Sequence, residues 1–331
     1  MKILLIQTAF IGDVVLATSL VETLKAEYPN AEIDFLLRKG NEGLLKGHPK
    51  LREVLVFDKK QGKYRQLRKM LKRIRAERYD YAINVQRFFT TGLMAALSGA
   101  KTKIGFDKNP MSWAFQERHS HEISIDPKQS THEVERNFGL IRSLVTRVAP
   151  LPPRLYPMEK DYQAVPQDQG YVCLAPASVW FTKQLPAEQW LEIIRRLPKH
   201  LHIYLIGGPG DADLCQDLRK RADFPQEQME VLAGKIGFLE SVALIEKAQM
   251  TYANDSAPMH FASAVNAPIT AVFCSTVPRF GFGPLSEQSY ILEHPSPLPC
   301  RPCGLHGKKA CPEGHFRCAQ VDMEVLEKQW R

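Results

Sequence analysis

No stretch of this 331-residue chain approaches the roughly 20 consecutive apolar residues that a membrane-crossing helix requires. The start, MKILLIQTAFIGDVVLATSL, imitates a secretory leader, but Gly12-Asp13 breaks its apolar run and no small-x-small cleavage site follows. A buried first strand and the helix after it account for the segment better, and the expectation is a cytoplasmic protein. A G-x-G-x-x-G loop is also missing. The first apolar run leads into Gln-Thr-Ala-Phe-Ile-Gly-Asp with Gly12 alone, and Gly207-Gly208-Pro209-Gly210 has the wrong spacing. No Walker-type Gly-Lys-Ser/Thr occurs either. Hydride transfer on a dinucleotide fingerprint and P-loop phosphoryl transfer are therefore both poorly supported. There is no internal repeat and no low-complexity tract.

What is present is ordinary for a globular protein: 44% hydrophobic and 24% charged residues. The length exceeds that at which single cores stop growing, which predicts two domains. Short apolar runs at 2–7, 33–37, 54–57 and 81–85 alternate with helical patterns, the first over Val14–Glu27. A long helical pattern from His132 to Val148 closes the first half, and Pro150, Pro152, Pro153, Pro157 and Pro166 punctuate a linker. Alternation restarts with a strand at Tyr171–Ala175. It continues with a helix at Pro186–Leu197, a strand at His202–Ile206 and helices at 211–222 and 239–247. A strand at Met250–Ala253, a helix from Pro258 and a strand at Ile269–Cys274 complete the series. Such βα alternation predicts parallel sheets covered by helices. The fold class expected is α/β, with two Rossmann-like parallel-sheet domains facing a cleft. The expected boundaries are 1–160, 168–318 and a C-terminal helix at 319–331.

Acidic residues are nearly absent between Lys59 and Arg78, where ten Lys or Arg stand against Glu77 alone. That local excess is larger than the +8 of the whole chain. Tyr64, Leu67, Leu71 and Ile74 recur at helical spacing, so the segment reads as an amphipathic helix with a basic outer face. One reading is a plain solvated face. The other is attraction to an anionic membrane surface or a phosphorylated acceptor, at about 1 kcal/mol per basic residue near such a surface. The run lacks interleaved aromatics and any nucleic-acid motif, which argues against a nucleic-acid partner.

Three segments carry the chemistry. Asn254-Asp255-Ser256-Ala257-Pro258-Met259-His260 follows a buried strand and opens a helix, gathering a carboxylate, a hydroxyl, a histidine and helix N-terminal amides at one strand end. In open α/β sheets that edge binds ligands, and this set suits a nucleotide-activated sugar. Ala175–Lys183 leaves another strand on the same edge, with Ser178 and Thr182 as hydroxyl donors and Lys183 as a charge for phosphate. Asp13 stands at the first strand-to-helix turn, either as a helix-terminal cap or as a base taking a proton from an incoming hydroxyl. Transfer from a nucleoside diphosphate needs only one such carboxylate, because the leaving group requires no protonation, unlike the aglycone of a glycosidase. Cys300, Cys303, Cys311 and Cys318 cluster near the C-terminus with His306 and His315 among them. A structural zinc site, plain structural thiols and disulfides all fit that spacing. No open His/carboxylate site accompanies these thiols, which argues against a catalytic metal.

Together, Ile11-Gly-Asp-Val-Val15, Ala175–Lys183 and Asn254–His260 resemble the ADP-heptose:lipopolysaccharide heptosyltransferase family, glycosyltransferase family 9, which has the GT-B fold. The resemblance implies inverting, metal-independent transfer from ADP-heptose or a related nucleotide sugar to a lipid-linked, phosphorylated saccharide acceptor. This acceptor is the lipopolysaccharide core, at the inner face of the inner membrane. It makes Asp13 the general base in an N-terminal acceptor domain. In a C-terminal donor domain, Ser178 and Lys183 hold diphosphate and sugar, Asp255 binds sugar hydroxyls, and Ser256 with the amides before His260 meets phosphate. The sequence departs from the family at Ala257, where Gly is usual. A methyl there forbids positive φ and crowds an approaching phosphate. Gln7-Thr8 replaces the usual Arg after the first strand. Two other functions fit less well: a nucleotide-sugar epimerase on the same architecture, and a non-catalytic lipid- or nucleic-acid-binding protein using the basic helix.

Overall fold

A computed structural model of the chain describes residues 1–59, 62–126, 128–166, 170–327 and 329. The chain packs as two units, residues 1–124 with 131–156, and residues 125–130 with 157–331.

Unit one runs β1 (Lys2–Ile6), α1 (Ile11–Glu27), β2 (Glu32–Arg38), β3 (Glu53–Phe57), α2 (Lys63–Glu77), β4 (Tyr81–Asn84), α3 (Phe89–Ala96), β5 (Thr102–Phe106), β6 (Glu117–His119) and α4 (Glu133–Gly139). Its strands form one sheet in the order β3-β2-β1-β4-β5-β6, with every pair parallel. Ile3, Leu4, Leu5 and Ile6 are all fully buried, as expected of a parallel strand covered on both faces. Leu4 and Ile6 join Leu67, Met70 and Ile74 of α2 and Met94 and Ala95 of α3 in one cluster. Tyr64, expected on that apolar face, is instead exposed, and Met70 fills the inward position. Asp34 of β2 is fully buried and takes hydrogen bonds from Arg52 Nε at 2.9 Å and from the Tyr79 hydroxyl. Burial and that carboxylate push the Tyr79 phenol well above its usual range.

Unit two runs α5 (Glu159–Gln163), β7 (Tyr171–Ala175), α6 (Ala187–Arg196), β8 (His202–Leu205), α7 (Ala212–Arg221), β9 (Met229–Val231), α8 (Phe238–Lys247), β10 (Met250–Asn254), α9 (Ala257–Val265), β11 (Ile269–Phe273), β12 (Ser289–Glu293) and α10 (Glu324–Glu327). The sheet order is β12-β11-β10-β7-β8-β9, again all parallel. Val172, Leu174, Ile203 and Leu205 meet Trp190, Ile193 and Ile194 of α6 in the core, and Leu326 of α10 closes the same cluster. The expected C-terminal helix at 319–331 is described only over Glu324–Glu327; positions 328, 330 and 331 lie outside the described residues.

Both sheets have the same winding. In each, the chain moves outward from the first strand through two neighbours, then returns to the first strand's other side and proceeds outward again. The direction reverses between β1 and β4 in one sheet and between β7 and β10 in the other. Ligands in open α/β sheets bind at such reversals, beyond the carboxyl ends of the strands. The expected helix over His132–Val148 is shorter. It ends at Gly139 and continues as tight turns in which Leu140 N–H bonds Asn137 and Ile141 N–H bonds Phe138.

Candidate functional site

At the β7/β10 reversal the two polar segments meet. Asp255 leaves β10 buried, and its Oδ2 accepts Lys183 Nζ at 2.6 Å and the Thr276 hydroxyl at 2.7 Å. Buried Asn254 braces the facing loop: Leu185 N–H donates to its Oδ1 at 3.0 Å, and its Nδ2 donates to the Pro176 carbonyl at 2.7 Å. The Ser178 N–H donates to Gln184 Oε1 at 3.2 Å, which folds the loop back on itself. Ser256 is the N-cap of α9 but makes no capping bond, and its Oγ is buried without a hydrogen-bond partner. An orphaned buried hydroxyl is costly, and a bound acceptor or donor group relieves it. Here it sits at a helix N-terminus, where anions bind. A charge pair, an open hydroxyl and a helix terminus at one strand edge form a cradle for a phosphorylated ligand carrying hydroxyls.

Three expected site residues take more particular places. Thr182 is buried behind the cradle. Its hydroxyl accepts from Lys308 N–H at 2.7 Å and pairs with Ser275 Oγ at 3.0 Å, while its N–H donates to the Lys308 carbonyl at 3.1 Å. His260 is buried in the first turns of α9. Ala257 is the first residue of α9 and is not among the positive-φ positions, so the expected backbone conflict with its methyl group does not arise.

The cysteine-rich segment supports this loop. A β-carbon on Gly307 would lie 2.8 Å from Lys183 Cγ and 3.0 Å from Trp180 Cβ, at a φ of +75° that favours glycine. Cys303 N–H bonds the Ser275 carbonyl at 3.0 Å, and Arg301 Nη2 donates to the carbonyls of Phe273 at 3.0 Å and Thr276 at 2.9 Å. Phe181 packs on Phe316 with ring centroids 5.1 Å apart. The expected zinc set at Cys300, Cys303, Cys311 and Cys318 does not form. Among the described residues no group of three or more His, Cys, Asp or Glu is placed to hold a metal ion. Cys300 Sγ reaches only His315 Nε2, at 3.9 Å, and the Cys303 thiol turns to the Cys300 carbonyl. Burial, reinforced by the neighbouring thiols, pushes Cys318 up to about 11. All seven cysteines are free.

At the β1/β4 reversal the arrangement is more open. Asp13 lies in the first turn of α1, half-buried, and its Oδ2 accepts the Phe10 N–H at 3.2 Å. The N-cap position expected of Asp13 is taken by Phe10, and Asp13 is the third helical residue, reaching back to the cap's N–H. Gln86, after β4, takes both the N–H and the hydroxyl of Thr8, at 3.1 and 2.8 Å. Gln7 and Thr8 are buried and shape the turn. The cation missing from that pair arrives from elsewhere: Lys59, after β3, donates from Nζ to Thr8 Oγ1 at 3.2 Å. Arg38, the last residue of β2, lies over the Phe10 ring at 5.1 Å, and Arg87 follows β4.

The model for glycosyltransferase family 9 (heptosyltransferase) matches residues 67–311. The chain belongs to this family. The match takes in Ser178, Thr182, Lys183 and Asp255–His260 and leaves Asp13 outside it. Among curated proteins, this family-9 glycosyltransferase is 28% identical over 282 residues to lipopolysaccharide heptosyltransferase 3 of Escherichia coli, covering 81% of this chain and 82% of that one. It is 25% identical over 313 residues to lipopolysaccharide heptosyltransferase 2 of E. coli strain K12, covering 88% of each. Among solved structures, the E. coli ADP-heptose heptosyltransferase II superposes with a TM-score of 0.78 at 22% identity, over 99% of this chain and 98% of that one. That likeness shows the two-domain GT-B fold.

Several residues of the site were not singled out from sequence. Thr276 and Ser275 follow a strand that periodicity finds, and a polar pair at a strand end was the available signal. Lys308, Gly307 and Arg301 had none, because their partners are distant along the chain, and Lys59 stood out only as the start of the basic run, not as a partner of Thr8.

Proposed function

We propose that this glycosyltransferase moves a heptose from ADP-heptose to the phosphorylated, lipid-linked saccharide of the lipopolysaccharide core, with inversion at the anomeric carbon. Family membership supports the reaction class, and the curated relatives, named as lipopolysaccharide heptosyltransferases, support the substrates. The observation that carries the reading is the buried Lys183–Asp255 pair beside the unsatisfied Ser256 hydroxyl and the N-terminus of α9. On donor binding, the diphosphate draws on Lys183 and the helix terminus, while Asp255 turns its acceptor oxygens to sugar hydroxyls. Ser178 lies on the same loop and adds a hydroxyl. The acceptor hydroxyl forms the new bond to the anomeric carbon as the bond from that carbon to the β-phosphate oxygen breaks. The electron pair leaves with ADP. Asp13 takes the acceptor proton, and positive charge around the departing diphosphate does the work that protonation does in a glycosidase. Lys183 and α9 provide that charge without a divalent cation, so chelator should leave transfer unchanged.

The acceptor side belongs to unit one, where Lys59, Arg38 and Arg87 share with Asp13 the carboxyl edge of the sheet and serve as contacts for acceptor phosphates. The exposed basic face of α2 supports peripheral contact with the anionic inner face of the membrane. No helix among the described residues is long and apolar enough to cross a membrane.

A panel of ADP-, UDP- and GDP-sugars tests the donor by thermal stabilisation. At 100 times its dissociation constant the true donor adds about 2.7 kcal/mol. ADP-heptose should stabilise most, and equal stabilisation by UDP- or GDP-sugars would remove the adenine assignment.

A further inference from the structure

Helices α2 and α3 lie side by side on one face of the unit-one sheet. Leu67, Met70 and Ile74 of α2 share a buried cluster with Met94 and Ala95 of α3, and Leu71 and Leu93 pack against it. Just beyond α3, a β-carbon on Gly99 would lie 3.7 Å from Arg75 Cγ of α2. The turn around Trp113 borders the same layer. Met111 and Phe115 pack on the cluster, and Asn109 Nδ2 donates to the Phe88 carbonyl at 3.1 Å.

The solvent side of this layer combines two properties. Helix α2 exposes Arg65, Arg68, Lys69, Lys72 and Arg75, and Arg78 caps its end, also exposed. Its one acid, Glu77, is taken up by Arg52 and Lys2. On the neighbouring α3 and the adjoining turn, large apolar side chains stand in water: Phe88, Phe89 and Trp113 are 66%, 56% and 73% exposed, with Leu97 and, on α2 itself, Tyr64 also exposed. An exposed apolar side chain by itself needs no explanation, but a group of them rimmed by charge of one sign marks an interaction surface.

We propose that the α2–α3 face docks this protein on an anionic lipid bilayer, with the α2 cations at the headgroups and Phe88, Phe89, Leu97 and Trp113 at the acyl boundary. Surfaces with Lys and Arg on one side and Trp, Phe and Leu on the other settle in the interface plane. Tryptophan prefers headgroup depth, and an anionic leaflet attracts polybasic segments. A second copy of the chain is a poor occupant, because like-charged α2 faces would oppose each other. A nucleic acid is poorer than a bilayer, because the cations and the rings form separate zones rather than the alternation that base stacking along a phosphate backbone uses.

The position of this surface matters for the reaction. Phe88 stands two residues beyond Gln86, which holds Thr8 at the edge that carries Asp13. The apolar side chains therefore begin where the acceptor edge ends, and a saccharide on a lipid anchor in the bilayer is presented to that edge. This inference rests on the reading of the acceptor as lipid-linked. Its vesicle-binding test needs neither donor nor acceptor, so the two stand or fall separately.

The full chain is sedimented with vesicles of phosphatidylcholine alone and of phosphatidylglycerol mixed equally with phosphatidylcholine. Binding is expected only to the mixed vesicles and should weaken as salt is raised. The triple variant Phe88→Ser/Phe89→Ser/Trp113→Ser, all exposed positions, should lose about tenfold or more in partitioning yet keep its salt dependence. The pair Arg68→Glu/Lys72→Glu should lose both. Brominated lipid should quench wild-type fluorescence, and Trp113→Phe should lose that quenching. Both multiple variants should transfer sugar to a deacylated, water-soluble acceptor as the wild type does. The proposal is overturned if wild-type protein ignores the mixed vesicles, or if the triple variant binds them as wild type. Equal or tighter binding of wild-type protein to DNA at the same salt would also overturn it. Loss of transfer to the deacylated acceptor in the triple variant would make the aromatic side chains a saccharide platform instead.

Discussion

The two sheets share one winding and place polar residues at the same two reversal points, but they finish those points differently. Between β7 and β10 the charges are already paired, around a buried carboxylate: Asp255 holds Lys183 and Thr276, Asn254 holds the facing loop, and the Cys303–Lys308 stretch holds Thr182. Between β1 and β4 the carboxylate of Asp13 is half-buried, and the cations of that edge, Lys59 on Thr8 and Arg38 over Phe10, come from the ends of β3 and β2. A preformed cradle suits a donor that does not vary. A more open edge suits a ligand that brings its own partners for those cations. Preorganisation in the first place supplies binding, and the second supplies selectivity.

The largest way to sharpen that division is Asp13→Asn. Turnover should fall by roughly 10²–10⁴-fold, the usual contribution of a positioned base, with donor affinity by calorimetry unchanged. Lys183→Ala should act on the other half. It leaves Asp255 buried with Thr276 alone, which should cost about 3–5 kcal/mol of stability and weaken ADP binding by at least roughly tenfold. Adding Asp255→Asn should restore stability and leave ADP binding weak. If the double variant is as unstable as the single, the pair is not what holds that loop.

A pH effect separates the units. His48 of unit one is buried beside Lys50, and burial with that charge lowers it to about 4. Glu22 lies 3.9 Å away, but Lys50 and Tyr156 already engage its carboxylate. Unfolding returns the imidazole to its ordinary value near 6.5, so below that pH the unfolded chain binds a proton that the folded chain refuses. Stability present above pH 6.5 should therefore decline as pH falls toward 4, by up to about 3 kcal/mol. His48→Gln should flatten the dependence of melting temperature on pH over that range; an unchanged slope would assign it to other groups. The smallest effect is expected of Thr182→Val. Removing the hydroxyl that receives Lys308 N–H and Ser275 should cost about 1–3 kcal/mol and loosen ADP binding a fewfold through Lys183. Turnover at saturating donor should not change.

Much of this was legible in the residues, and what was not has identifiable causes. The apolar runs located β1, β2, β3, β4, β7, β8, β10 and β11 because strands buried on both faces read as continuous hydrophobic stretches. β6 and β9 were not seen because they are three residues each, and β5 and β12 because they carry polar residues such as Thr102-Lys103 and Ser289. β5 also hides a glycine: a β-carbon on Gly105 would strike the Phe115 ring at 2.5 Å. Asp255 and Lys183 stood out as chemistry at strand ends, yet their contact depends on β10 lying next to β7, and strand order leaves no local trace. The same limit explains Thr182, whose brace from Lys308 lies 126 positions away. The cysteine spacing suggested a metal, but spacing along a chain does not fix where thiols point. Asp13 is the reverse case. Its turn was found, its place is the third helical residue rather than the N-cap, and its part in proton transfer rests on chemistry that only an assay reaches.

The most direct measurement is the anomeric configuration of the product, followed together with ADP release. With ADP-heptose and a lipopolysaccharide-core acceptor, the expected result is one inverted glycosidic bond per ADP released, and no consumption of donor when the acceptor is omitted. Retention at the anomeric carbon, or conversion of the donor in the absence of acceptor, would contradict single displacement from the Lys183–Asp255 cradle with Asp13 as base.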